Sequence, residues 1–221
     1  RRVFLVGRRK SVCRFAGPLE ANPAVEMTLS ENGDLWCDIR TSHPAGNHPA
    51  LFLDRDGTLI KLVDYLSDPA SVVLIGSVLV DIRQANKDGH AVVIVTNQSG
   101  IGRGYYGWDD FHAVQARLYD LLAAEDVVID ATYACPHPPP DAGGPANSLY
   151  RKPAPGMLTR AADDLNLDLS RSRILGDSVS DLAAGKAAGL PVGILVSDGY
   201  GARDAKAARV LADDGFEVIR R

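Results

Sequence analysis

The chain has little cysteine. Cys13, Cys37 and Cys135 are its three, odd in number and far apart, so they lay out no disulfide framework and a reducing cytoplasm is the expected setting. Long apolar runs are also missing. None approaches the roughly 18 consecutive residues of a membrane span, so a membrane-embedded protein is not expected. The chain opens with Arg1-Arg2, the pair found in a twin-arginine export signal, but Arg8, Arg9, Lys10, Arg14, Pro18 and Glu20 interrupt the apolar stretch that such a signal needs. Export is not expected. Nor is there a basic excess: the formal net charge of -4 gives no overall attraction for nucleic acid or an anionic membrane. A dinucleotide fingerprint is absent too, since residues 54–59 after the first strong strand signal are not G-x-G-x-x-G, which argues against a nicotinamide-binding oxidoreductase.

What is there suits a soluble globular protein. An apolar share of 46% over 221 residues can bury a full core, as one domain with a small appendage. Residues 1–49 differ in character from the remainder. Residues 25–29 and 35–39 alternate with period two on either side of Asn32-Gly33, which predicts a β-hairpin. Pro44, Gly46, Asn47 and Pro49 then form a linker. We expect an accessory segment over 1–49, serving packing or dimer contacts in a monomer or homodimer, and a catalytic domain over 50–221.

From residue 51 onward strand-like runs alternate with helical patterns. Strands are expected over 51–53, 91–95, 127–133, 173–175, 191–196 and 216–219, and helices over 76–88, 108–124, 155–165, 180–188 and 203–212. Such alternation predicts an α/β fold with a doubly wound, mostly parallel sheet, carrying the N-terminal hairpin as an appendage.

Four stretches put polar groups just beyond an apolar strand, where open α/β sheets bind ligands. In the first, Leu51-Phe52-Leu53 runs into Asp54-Arg55-Asp56-Gly57-Thr58. Two carboxylates one residue apart repel unless a cation or proton lies between them, which suits a hard, oxygen-preferring metal. In the second, residues 92–95 are followed by Thr96-Asn97-Gln98-Ser99-Gly100-Ile101-Gly102-Arg103-Gly104, a run of donors on flexible backbone that fits an oxyanion or phosphate. The third is Arg151-Lys152-Pro153, where a lysine can neutralise a phosphoryl group and a carboxylate together. The fourth is Gly176-Asp177-Ser178 with Asp181, where Asp177 is a third candidate carboxylate for Mg²⁺. Taken singly, each stretch also suits a solvated turn, and Asp181 also suits a first-turn helix acid.

Together, Asp54 to Thr58, Thr96, Lys152 and Gly176-Asp177 with Asp181 resemble motifs one to four of the haloacid dehalogenase superfamily. The nearer resemblance is to its heptose bisphosphate phosphatase family and the related histidinol-phosphate phosphatases, carried by Thr96 to Gly104, Cys135-Pro136-His137 and Arg151-Lys152-Pro153. It covers about residues 50–198. The resemblance implies an aspartyl-phosphate mechanism with Asp54 as nucleophile and Asp56 as general acid and base. It also implies Thr96 and Lys152 on the phosphoryl oxygens, and Mg²⁺ on Asp54, the Asp56 carbonyl and Asp177, with Ser178 nearby. Asn97, Gln98, Ser99, Arg103 and Arg151 are implied substrate contacts, and Asp64 and Tyr65 join them on a looser match.

The implied substrate is a small phosphorylated metabolite, a sugar bisphosphate or alternatively histidinol phosphate. Nucleic acid and membrane are not expected partners. One departure concerns zinc. Many relatives hold it with Cys135 and His137 plus two later cysteines, but Ser148 and Tyr150 stand at the later positions here. Two ligands cannot close a tetrahedral site, so zinc is not expected. Spacing bears on access as well: Thr96 follows Asp54 by 42 positions and Lys152 follows Thr96 by 56, which leaves no room for a large cap domain.

Overall fold

A computed structural model describes residues 26–30, 32–41 and 47–221. The expected hairpin start at Val25, the linker residues Pro44 and Gly46, Cys13 and the N-terminal arginines lie outside the described residues. Among the described residues, no helix is long and apolar enough to cross a membrane.

The described residues form one eight-stranded sheet. In chain order the elements are β1 (Glu26–Leu29), β2 (Trp36–Ile39), β3 (Ala50–Leu53), α1 (Gly76–Lys87), β4 (Ala91–Asn97), α2 (Ser99–Gly102), α3 (Trp108–Ala124) and β5 (Ala131–Cys135). They continue with α4 (Gly156–Leu165), β6 (Arg173–Gly176), α5 (Val179–Ala187), β7 (Val192–Leu195), α6 (Gly201–Arg209) and β8 (Glu217–Arg220). The sheet order is β1-β2-β5-β4-β3-β6-β7-β8. Pairing is parallel from β5 to β8 and antiparallel from β1 through β2 to β5. The hairpin is therefore the edge of the main sheet.

The chain winds outward from β3 through β4 to β5, then crosses to β6 on the other side of β3 and winds outward again through β7 and β8. The winding reverses between β3 and β6. Loops leave that point in opposite directions, and a crevice opens there at the carboxyl ends of the strands. Asp54 follows β3 and Asp177 follows β6, so topology alone puts both acids in the crevice.

Side-chain alternation splits the core into two layers. Leu51, Leu53, Val92, Ile94 and Leu175 face one way, onto Val78, Leu79 and Ile82 of α1 and Val114 and Leu118 of α3. Phe52, Val93, Val95 and Ile174 face the other way, onto Met157, Leu158 and Ala161 of α4 and Leu182 of α5. Strands covered on both faces read as continuous apolar runs, which is why 51–53 and 91–95 stand out in the sequence.

One expected strand is displaced. β5 begins at Ala131, four residues after the apolar run suggested, and extends to Cys135. Asp126, at φ 55, turns the chain out of α3, and Val127 and Ile129 drop into the layer under α1 and α3. Asp130 then donates its N–H to Val92 O at 2.8 Å and accepts the Val92 N–H on its carboxylate at 2.7 Å. Local side-chain bonding replaces the ladder there, and regular pairing starts one residue later. No large cap is inserted. Between β3 and α1 the chain makes loops and one short turn at Pro69–Ser71, and between β5 and α4 it makes loops and another at Pro140–Ala142.

Candidate active site

The cavity at the sheet's carboxyl edge has a volume of about 470 Å³, and its walls include Asp54, Asp56, Thr96, Asn97, Lys152, Asp177 and Asp181. Each arrives for a local reason. The Asp54 N–H donates to Leu175 O at 3.0 Å, so the ladder between β3 and β6 holds this residue to its last atom. Gly57, at φ +93, then turns the chain sharply. A Cβ there would lie 2.3 Å from Asp177 Oδ2, so only glycine lets the first acidic loop approach the last one this closely.

Lys152 is the hub. Its Nζ donates to Asp54 Oδ1 at 2.6 Å and to Val95 O at 2.7 Å, and it pairs with Asp181 Oδ1 at 2.7 Å. The lysine side chain is almost fully buried. Burial pulls its pKa down, but Asp181 and Asp54 together hold it above its ordinary value. Lys152 therefore stays protonated. Burial raises the Asp54 pKa well above the usual carboxylate range, Lys152 opposes that, and the neighbouring Asp181, Asp177 and Asp56 add to it. Burial likewise pushes Asp177 up to about 6. One lysine does not balance three buried acids.

Asp54, Asp177 and Asp181 each offer an oxygen within 4.8 Å of the others. Hard carboxylate oxygens in excess of local positive charge fit a divalent cation of the magnesium type. Asp177 Oδ2 is aimed by the Tyr200 N–H at 2.8 Å. Asp181 does double duty: Oδ2 accepts the Ser178 N–H at 3.0 Å and the Ser178 hydroxyl at 2.8 Å as a capping box for α5, and Oδ1 faces Lys152. Ser178 lines the cavity with its hydroxyl engaged in that cap.

Asp56 is surrounded by donors. Arg55 Nε and Nη2 reach its two oxygens at 3.0 and 3.2 Å, Gln98 Nε2 reaches Oδ2 at 2.9 Å, and Thr96 Oγ1 lies 3.5 Å from Oδ2. Gln98 also donates to Thr96 Oγ1 at 2.7 Å, and Tyr106 Oη donates to Gln98 Oε1 at 2.5 Å. Gly100 makes that possible, because a Cβ there would lie 2.1 Å from the Tyr106 ring.

Of the remaining expected contacts, Ser99, Asp64, Tyr65 and Arg151 line the cavity. Tyr65 takes φ 52 and meets Tyr105 edge-on at 4.6 Å. Arg103 is not among the lining residues. Its Nε is buried without a hydrogen-bond partner, and its charge acts from nearby on Arg151, whose pKa burial lowers and Arg103 lowers further.

Two participants, Arg55 and Tyr106, escaped sequence reasoning as site residues, and Asp181 was placed in the fourth motif without a role. Asp181 was recognisable from its place one turn into α5, but a helix-start acid explains that position equally well. Arg55 carried a signal in hindsight, since a guanidinium between two acids at a buried strand tip needs a partner. Tyr106 carried none, because it enters from a loop with no periodicity.

Cys135 and His137 both meet Ser148. His137 Nδ1 lies 2.9 Å from Ser148 Oγ, and Cys135 Sγ lies 3.8 Å from the same oxygen. Close packing holds the following loop: a Cβ on Gly144 would lie 1.8 Å from Pro138 O.

A family model described as haloacid dehalogenase hydrolase-like matches residues 149–217. The D-glycero-β-D-manno-heptose-1,7-bisphosphate 7-phosphatase of Mesorhizobium japonicum is 48% identical over 167 residues, 75% of this chain and 77% of the relative. Among solved structures, a haloacid dehalogenase-like protein of Mesorhizobium loti is 41% identical with a TM-score of 0.73, covering 85% of this chain and 88% of its own. The D,D-heptose 1,7-bisphosphate phosphatase of B. bronchiseptica, solved with magnesium and phosphate, is 30% identical with a TM-score of 0.67, covering 77% of this chain and 91% of its own.

Proposed function

This chain belongs to the haloacid dehalogenase superfamily, in its D-glycero-D-manno-heptose 1,7-bisphosphate phosphatase family, and from that premise we propose that it is a Mg²⁺-dependent phosphatase hydrolysing a small sugar bisphosphate such as that heptose ester. The observation that carries the reading is the Lys152 ammonium between Asp54 and Asp181, with Asp177 in the same cluster, at one edge of the sheet. Residues 50–221 form the catalytic domain and 1–49 the accessory segment. The free thiols of Cys37 and Cys135 suit a reducing compartment, and we place the enzyme in the cytoplasm.

The Asp54 carboxylate attacks phosphorus while Asp56 gives a proton to the departing sugar oxygen, leaving an aspartyl phosphate and a free alcohol. Asp56, now a carboxylate, takes a proton from water as the water oxygen attacks the phosphorus, and Asp54 is released with inorganic phosphate. Thr96 and Lys152 hold the phosphoryl oxygens throughout, which is most of what phosphoryl transfer asks of a protein. Asp54, Asp177 and the Asp56 carbonyl, with Ser178 nearby, would hold magnesium, which would supply charge neutralisation for the transferring group. Asn97, Gln98, Ser99, Arg151, Asp64 and Tyr65 form the walls that receive the sugar, and Arg103 adds its charge from beside Arg151. We further propose that no structural zinc is bound, because Ser148 Oγ occupies the approach between Cys135 and His137.

The deciding experiment is turnover of heptose 1,7-bisphosphate, fructose 1,6-bisphosphate, histidinol phosphate and a 3′-phosphorylated oligonucleotide, with and without Mg²⁺. Preference for the heptose ester, strict Mg²⁺ dependence and loss of turnover in Asp54→Asn are expected. Preference for histidinol phosphate, or turnover surviving Asp54→Asn, overturns the substrate or the nucleophile respectively.

A further inference from the structure

We propose that Asp34, at the tip of the β1–β2 hairpin, is a positioning residue for the cavity arginine Arg151, acting through His137 and Ser148; the inference rests on the phosphatase reading, in which Arg151 contacts substrate. Sheet register brings the parts together. β2 runs antiparallel to β5 with Trp36 opposite Ala134. Stepping back two residues from Trp36 and forward three from Ala134 therefore leads to the same end of the sheet, the carboxyl end of β5, beside the cavity. Asp34 and His137 meet there.

The contacts form a continuous chain. Asp34 Oδ1 lies 3.0 Å from His137 Nε2, and His137 Nδ1 lies 2.9 Å from Ser148 Oγ. Both ring nitrogens are engaged, so the imidazole has one orientation. Ser148 Oγ accepts the Arg151 N–H at 3.2 Å, and Arg151 Nη1 donates to the His137 carbonyl at 2.7 Å. The arginine is thus held at its backbone by the hydroxyl that the imidazole bonds, and at its guanidinium by the carbonyl of the same histidine. An arginine side chain has many rotamers to lose, and a pre-set one binds an anion at less entropic cost. The carbonyl that holds it is neutral and takes one of five N–H donors, which leaves charge and donors for a ligand.

The hairpin tip is itself built to present Asp34. Ser30 Oγ accepts the N–H groups of Asp34 and Leu35 at 2.9 and 3.0 Å, and Ser30 N–H donates to Leu35 O at 2.8 Å. This gives the accessory strands a role in the site: without them His137 loses one of its two anchors. Asp34 touches neither the cavity nor the reacting atoms, so its effect has to appear in ground-state binding.

The test is steady-state kinetics on heptose 1,7-bisphosphate for Asp34→Asn, Ser148→Ala, Ser148→Thr and Arg151→Ala, and for the first two combined with Arg151→Ala. Ser148→Ala is expected to raise KM about tenfold with kcat within about twofold, the pattern of lost uniform binding. Ser148→Thr, which keeps the hydroxyl, is expected to restore KM. Asp34→Asn should raise KM by a smaller factor, and neither change should add to Arg151→Ala, because residues acting through one partner are not additive. Unchanged KM in Ser148→Ala, or a full further rise on top of Arg151→Ala, overturns the inference. If Asp34→Asn disturbs the hairpin fold by circular dichroism, the Ser148 pair and its double mutant decide alone. A wild-type enzyme that turns over no phosphate ester overturns the phosphatase reading instead, so the two failures are distinguishable.

Discussion

Asn97 and Lys152 clasp each other through two hydrogen bonds: the Lys152 N–H donates to Asn97 Oδ1 at 3.0 Å, and Asn97 Nδ2 donates to Lys152 O at 3.1 Å. The side-chain amide imitates a strand neighbour for a residue that belongs to no strand. Since β4 also supplies the Val95 carbonyl to Lys152 Nζ, one strand end fixes the lysine at backbone and tip. Asn97→Ala should then lower kcat by about 10- to 100-fold with little change in KM, as expected when a transition-state contact is misplaced by an ångström or less. Initial-rate measurements at saturating Mg²⁺ check it. A rise in KM with normal kcat would mean that Asn97 serves the substrate and not the lysine.

A parallel clasp exists on the acid. Tyr106 Oη, Gln98 and Asp56 form a line of bonds at 2.5 and 2.9 Å. Tyr106→Phe leaves the buried Gln98 oxygen without that donor, which costs about 1–3 kcal/mol of stability, and frees the amide that points at Asp56. A drop in kcat of about three- to tenfold with unchanged KM is expected. Product-burst kinetics separate acid-assisted departure of the alcohol from later dephosphorylation, and a defect confined to KM would sink the relay.

How much of this was legible in the sequence depends on what kind of signal carried it. Leu51 to Leu53 and Val92 to Val95 are continuous apolar runs because helices cover both faces, so the polar residues beyond them were marked as strand tips. That located Asp54, Asp56, Thr96 and Asp177 on one edge. The strand expected just before Lys152 is not there, because β5 ends at Cys135 and a long loop carries the chain on, so only the motif around Lys152 marked it. The pairing of β2 with β5 joins residues nearly a hundred positions apart, and nothing local in either segment announces it. The hairpin itself was readable from Asn32-Gly33 and its alternation, but not that its edge docks beside the site. Asp181 stayed ambiguous for a physical reason, since a carboxylate with two oxygens can cap a helix and hold a lysine at once.

When metal is removed by EDTA, the charge of the site has a consequence for stability. Asp177 is raised from 3.8 to about 6 in the folded protein by burial, so the folded state binds its proton more tightly than the unfolded chain does. The sign follows from linkage: its contribution is fully present below pH 3.8 and is lost as pH rises through about 6. Asp54 and the buried Asp38, both raised chiefly by burial, act in the same direction. His90 and His112, lowered chiefly by burial, act oppositely on approach to neutrality. The clean measurement is therefore a difference. In EDTA, Asp177→Asn should gain thermal stability relative to wild type as pH rises from about 4 to 7. Millimolar Mg²⁺ should raise the wild-type melting temperature by several degrees at pH 7, less at pH 5, and little in Asp177→Asn. A wild-type advantage over Asp177→Asn that grows with pH in EDTA would contradict the raised pKa.

The last relationship is steric. Gly57 and Gly199, at φ +93 and +55, lie side by side against Asp177: a Cβ on either would lie 2.3 or 2.0 Å from Asp177 Oδ2. That oxygen is the one the Tyr200 N–H aims. Alanine at 199 would strain a left-handed backbone and push the carboxylate out of line together, whereas the strain alone costs about 1 kcal/mol in the fold. Gly199→Ala, whose Cβ would also lie 2.9 Å from the Gly57 Cα, should lower the melting temperature by more than the strain alone, while needing at least about tenfold more Mg²⁺ for half-maximal turnover. Gly89→Ala provides the control, because Gly89 has φ +71 but nothing within 4 Å of its missing Cβ. It should lose only the stability that the backbone strain costs and keep the wild-type Mg²⁺ requirement. Equal Mg²⁺ curves for the two variants would show that the close approach of Gly199 to Asp177 has no bearing on how that carboxylate meets the metal.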